Sequence, residues 1–175
     1  MKKLLFLLLI STTVLTGCKK KLTEFYISDT SQVKVDANTT INLPFSIQTP
    51  DMETNYEGEF ESNDTRKENI ETLKLTKLKL TITSPSDFTF SWLESIEIFI
   101  ESENLPEKRV AFKEFISDNV DNSIVCDVED LDLQEYIKED AFSLRLKTVT
   151  DEYFTEDVYI DLNTEFFVKA SIFKK

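Results

Sequence analysis

Carboxylates are the chemistry this chain holds in quantity: Asp and Glu number 33 against 20 Lys and Arg, histidine is absent, and cysteine occurs twice in 175 residues. One cluster of them is SDNVDNSIVCDVEDLDL, residues 117–133, which gathers Asp118, Asp121, Asp127, Glu129, Asp130 and Asp132. Calcium collects about six to eight oxygens and tolerates irregular geometry. Asp127, Glu129 and Asp130 are therefore the expected Ca2+ ligands if this run holds a metal. It lacks the glycine and terminal glutamate of the usual calcium-binding loop, and a turn flanked by solvated acids accounts for the same residues. Two carboxylates about 5 Å apart, or about 6.5–9.5 Å apart, can hydrolyse a glycosidic bond. With so many acids a chance pair at that spacing is assured, and nothing singles one out.

Aromatic residues offer the second chemistry. Residues 51–69, DMETNYEGEFESNDTRKEN, form the longest irregular stretch and carry Tyr56 and Phe60. Loops of this length are often functional, and Tyr56 and Phe60, if exposed, would contact a glycan or a partner protein. The competing reading is an edge hairpin in which Tyr56, Gly58 and Phe60 face inward while Glu57, Glu59 and Glu61 form a solvated face. Trp92, in FTFSWLES, could stack on a sugar or could plug the core beside Phe88, Phe90 and Leu93.

Other chemistries are excluded by composition. Without histidine there is no Ser-His-Asp or Cys-His arrangement and no imidazole-bearing zinc site. Gly17 and Gly58 are the only glycines, too few for a phosphate-cradling loop or a nucleophile elbow. A formal charge of −13 repels phosphate backbones, so nucleic acid is a poor partner. The expectation is a non-enzyme that binds or assembles. A calcium-assisted glycan binder is the alternative, and a carboxylate-based hydrolase stands behind both.

The elements that must position these residues alternate with period two, which puts successive side chains on opposite faces of a strand. Ile41, Leu43, Phe45 and Ile47 make one strand, with Pro44 marking an edge or a bulge. Leu73 and Leu75 share one parity and Leu78, Leu80 and Ile82 the other, so a bulge at Thr76-Lys77 is expected. Further strands are read at Phe25/Ile27, Val33/Val35, Ile96–Ile100, Val110/Phe112, Ile124/Cys126/Val128, Phe142–Leu146, Val158–Leu162 and Phe166–Ile172. Two short helices are expected, one opened by Asp132 with Glu135 as a capping box, the other at residues 64–72 with Asp64 as cap. Many one-sided strands imply an all-β, antiparallel β-sandwich of immunoglobulin-like or related Greek-key topology, occupying residues 22–175.

The N-terminus carries an address. Lys2 and Lys3 precede the apolar run Leu4–Ile10, which fades through Ser11-Thr12-Thr13 to Val14. This is the secretory signal layout, too short to span a bilayer. Leu15-Thr16-Gly17-Cys18 resembles the lipobox of bacterial lipoproteins. The resemblance implies that residues 1–17 are removed and that mature Cys18 carries a diacylglycerol and usually an amide-linked third chain, which together anchor stably. Residues 18–21 would be a short basic tether, and the formal charge falls to about −15 once Lys2 and Lys3 are lost. Lys19 stands where an aspartate would retain a lipoprotein at the inner membrane, so the family's sorting rule implies the outer membrane, facing the periplasm, with the cell surface as the alternative. The partners implied are the membrane and an envelope protein or glycan. Cys126 is then the lone free thiol, expected buried.

Overall fold

The computed structural model describes residues 21–37, 45–54, 56–150 and 155–172. Cys18, the signal-like segment and the strand residues Ile41–Pro44 lie outside them. Among the described residues ten strands form two antiparallel sheets, an all-β sandwich. Sheet A runs β1 (Leu22–Val35), β10 (Val158–Ser171), β4 (Ile70–Ser84), β7 (Ser123–Val125). Sheet B runs β2 (Phe45–Gln48), β9 (Ala141–Thr150), β5 (Leu93–Glu101), β6 (Lys108–Lys113), β8 (Asp127–Val128). A two-residue β3 (Met52–Glu53) lies farther along β9. Two short helices, α1 (Glu57–Ser62) and α2 (Gln134–Lys138), close the near end, where Leu22, Ser171, Ile70 and Ala141 meet.

The C-terminal strand organises sheet A. Even-numbered residues from Val158 to Ala170 all face the core, Thr164 included, so the two expected strands are one ladder of 14 residues between β1 and β4. Its partner β1 is likewise continuous, because Asp29 and Ser31 keep the inward parity between Ile27 and Val33 although they are polar. An inward-pointing charge in the middle of an edge strand also discourages a second chain from adding to it.

The leucine parity break in β4 is a bulge, as expected. Phe166 pairs with Leu75 and Glu165 with Lys77, which leaves Thr76 over, its hydroxyl donating to Glu165 O at 2.9 Å. Leu73, Leu75, Leu78, Leu80 and Ile82 all turn inward as a result. Each such burial contributes about 1.5–3 kcal/mol.

Two strand readings are corrected. Val110 and Phe112 do not share a face: Ile98 pairs with Ala111 and Phe99 with Arg109, so Val110 is itself the extra residue of a bulge. Val110 and Ala111 are both buried, and Phe112 turns outward beneath the Arg109 guanidinium, 4.7 Å from the ring centre. The run Ile124–Val128 is not one strand. Ile124 pairs with Leu80 in sheet A, and Val128 with Ala111 in sheet B. The chain passes between sheets at Cys126, a small buried side chain whose N–H donates to Leu78 O at 2.9 Å.

Candidate functional site

Residues 51–69 are neither a loop of exposed aromatics nor an edge hairpin. Met52 and Glu53 add to β9, and the chain then turns into α1, whose glutamates face solvent as Phe60 points in. Phe60 is 2% exposed and meets the rings of Phe25 and Tyr56 edge-on, each at 6.3 Å. Tyr56 is half-buried and donates its hydroxyl to the Asp29 carboxylate at 2.9 Å. Burial, with the neighbouring carboxylate of Asp29, holds its phenol well above the ordinary range. Of the expected helix at residues 64–72 only one 3-10 turn forms, Lys67–Asn69, and Asp64 does not cap it. Asp64 takes a positive φ of 52° just past α1, a conformation Asp tolerates through its short polar side chain, and Ile70 already begins β4.

What the segment builds is a recess of about 610 Å³ at the near end, walled by Glu53, Glu57, Glu61, Glu68 and Asp140 over a floor that includes Phe60. A second recess, of about 480 Å³, lies beyond the shared Asp140-Ala141 and adds Asp51, Glu101, Glu103 and Glu139. Within the first, the Lys67 ammonium donates to Thr54 Oγ1 at 2.8 Å and to Glu139 O at 2.5 Å. The Thr54 hydroxyl donates to the same carbonyl, so its proton is held by the backbone and it is not activated as a nucleophile. The walls offer acceptors in excess, which suits ammonium, guanidinium or hydroxyl donors on a ligand.

The other sequence candidates do not converge on this place. Trp92 is 3% exposed and stacked on Phe90 at 6.3 Å, so it belongs to the core and offers no face to a sugar. Asp127 faces Lys113 at 3.3 Å, Glu129 faces Arg109 at 2.7 Å and Asp130 faces Lys74 at 2.5 Å. The sheet switch at Cys126 splays these acids towards three different cations. Among the described residues no three of His, Cys, Asp or Glu are grouped to hold a metal ion. The N-cap of α2 is Leu133, one residue later than expected, without a side-chain cap bond; the Asp132 carboxylate lies just before it and accepts from Gln134 N–H at 3.1 Å and Leu73 N–H at 3.0 Å. The reciprocal half of the capping box is missing, since Glu135 pairs with Lys138 at 3.1 Å. Burial pushes the Cys126 thiol up to about 12.

Several surface features were not foreseen. On the outer face of sheet B, Arg109 bridges Glu97 and Glu129 while Arg145 pairs with Glu107 over the ring of Phe99. On the outer face of sheet A, Tyr26 is 59% exposed and packs edge-on against Phe167 at 5.7 Å. The doublets Phe25-Tyr26 and Phe166-Phe167 carried that signal, because adjacent aromatics in a strand must occupy both faces. Phe115, 93% exposed with φ of 54°, sits at the far end on a turn pinned by Ile116 N–H to Glu94 O at 3.2 Å. No periodic pattern announces it.

Fold and site together define an acidic two-sheet sandwich with a carboxylate-walled recess at the end where its first strand begins. Neither a scan against protein-family models nor a search of curated proteins returned a match.

Proposed function

We propose that this is a lipid-anchored protein of the bacterial cell envelope that acts by binding or assembly, held at the outer membrane and facing the periplasm. The observation that carries the reading is Leu15-Thr16-Gly17-Cys18 at the end of an apolar signal-like run, only four residues before β1 begins at Leu22. Lys21 already belongs to the fold, its carbonyl accepting from Ile172 N–H at 3.0 Å. The three residues from Cys18 to Lys21 reach at most about 11 Å, which holds the domain beside its membrane. The surface best suited to a partner is the pair of recesses, whose walls favour lysine or arginine side chains of an envelope protein.

Growth of the host with an alkyne-tagged palmitate tests the anchor. The protein is expected to take up the label and fractionate with membranes, and Cys18→Ser to lose both; an unlabelled, freely soluble wild-type protein overturns the reading. Crosslinking from Glu57, on the recess rim, tests the binding half. One partner band that disappears when Glu53→Lys and Glu61→Lys are combined supports it, and a band indifferent to those reversals refutes it.

A further inference from the structure

We propose that the outer face of sheet A rests on the leaflet that holds the Cys18 lipids, so that the domain lies flat on the bilayer instead of standing on its near end. The inference depends on the anchor reading above and adds the orientation and the lipid chemistry it requires, an anionic headgroup surface.

The register places the relevant side chains in rows across the face. Tyr26 pairs with Phe167, which pairs with Lys74; Glu24 pairs with Lys169; Glu165 pairs with Lys77, and Asn163 with Lys79. Lys74 and Lys169 are engaged with Asp130 and Glu24, but Lys77 and Lys79 make no ion pair among the described residues. An aromatic pair bordered by such lysines is unusual on a chain with 33 acidic and 20 basic residues. Tyrosine presents an apolar body and a polar tip suited to the headgroup region, and lysines are drawn to anionic leaflets. Leu22, 40% exposed, extends the apolar surface towards the anchor.

The alternatives are disfavoured by charge. Standing on the near end would press Glu53, Glu57, Glu61, Glu68 and Asp140, which outnumber Arg66 and Lys67 there, against anionic headgroups. The outer face of sheet B has matched its cations internally, Arg109 with Glu97 and Glu129, Lys147 with Glu97, Arg145 with Glu107. The tether permits the flat pose: Tyr26 lies about 13 Å along β1 from Leu22, and Cys18 sits within about 11 Å of Lys21. Lying flat also leaves the acid-walled recess open to the side.

The test uses the lipoprotein purified from its host and reconstituted into phosphatidylcholine vesicles, with or without phosphatidylglycerol, whose acyl chains carry bromine as a fluorescence quencher. Trp92, buried, gives a constant background. Tyr26→Trp and Phe167→Trp are expected to be quenched in the anionic vesicles far more than Phe115→Trp at the opposite end, and salt is expected to relieve the difference. Adding Lys77→Gln and Lys79→Gln is expected to lower the ratio of docked to undocked domain about 30-fold, which is about 2 kcal/mol at roughly 1 kcal/mol per lysine near such a surface. Flotation with both kinds of vesicle but equal quenching at positions 26 and 115 overturns the flat orientation and leaves the anchor intact. Failure to float with either kind overturns the anchor and the orientation together.

Discussion

Deleting Thr76 and deleting Asn163 should have opposite outcomes, although both remove one polar residue from a long strand of sheet A. Thr76 is the unpaired residue between Leu75, opposite Phe166, and Lys77, opposite Glu165. Without it the strand reads LKLKLKLTI, Leu75 and Lys77 become neighbours, and the ladder to β10 closes with every leucine still inward. The loss is the hydroxyl bond to Glu165 O, about 1 kcal/mol, together with a shortening of β4 that the irregular residues 129–133 must follow. For a domain of this size each kcal/mol lowers the melting temperature by about 2–4 °C, so a cooperative transition a few degrees below wild type is expected. Asn163 has no such slack. Its removal turns either Val158, Ile160 and Leu162 or Phe166, Val168 and Ala170 to the outer face. Exposing three such side chains costs roughly 5–9 kcal/mol against a total stability of about 5–15 kcal/mol. Thermal and guanidinium melts followed by far-UV circular dichroism separate the two. A cooperative melt for the Asn163 deletion, or none for the Thr76 deletion, would refute the assignment of the bulge.

Three further outcomes follow from the local chemistry. With its value pushed to about 12, the Cys126 thiol should carry about a thousand-fold less thiolate at pH 8 than an ordinary cysteine near 9, so Ellman's reagent should find no fast thiol in the native lipoprotein and one in denaturant; two in denaturant would mean an unmodified Cys18. Tyr56→Phe should cost roughly 1–2 kcal/mol, the lower part of the range for a bond to a charged acceptor because the pair is only half-buried. The folded phenol is raised above its unfolded value near 10, so Tyr56 contributes fully below about pH 10 and its contribution is lost as pH rises through the folded value; the alkaline fall in stability should be shallower in Tyr56→Phe. The Asp157 carboxyl is held below the ordinary carboxylate value first by Ala37 N–H and then by Lys34, so its contribution is present above about pH 3.8 and lost as pH falls through the lowered value; an NMR titration of Lys34→Ala should move it only part of the way back.

Strand content was legible because burial on one face writes itself into parity, and the Thr76 bulge could be read because five large aliphatic residues change phase there. Where parity was ambiguous the reading failed. Asp29 and Ser31 are polar yet inward, so β1 looked like two strands, and Val110-Ala111 hides a bulge because alanine is small enough to be buried without marking a phase. Residues 117–133 offered many acids but no indication that the chain would change sheets at Cys126 and part them. The packing of Phe60 and Tyr56 depended on Phe25 and Asp29 in β1, contacts too distant in sequence to be seen from the segment itself. The recess, likewise, is assembled from β3, α1 and the residues before β9, and no single stretch contains it.

That β10, an inner strand of sheet A, follows the other nine described strands in the chain has a kinetic consequence. Until Val158–Ser171 has left the ribosome, β1 has no partner in sheet A and β4 has only the three-residue β7, and the most distant contacts in the chain must form before that half of the sandwich closes. On the export proposed above, a chain threaded N-terminus first would keep sheet A open until β10 had followed, and that half of the sandwich would close last.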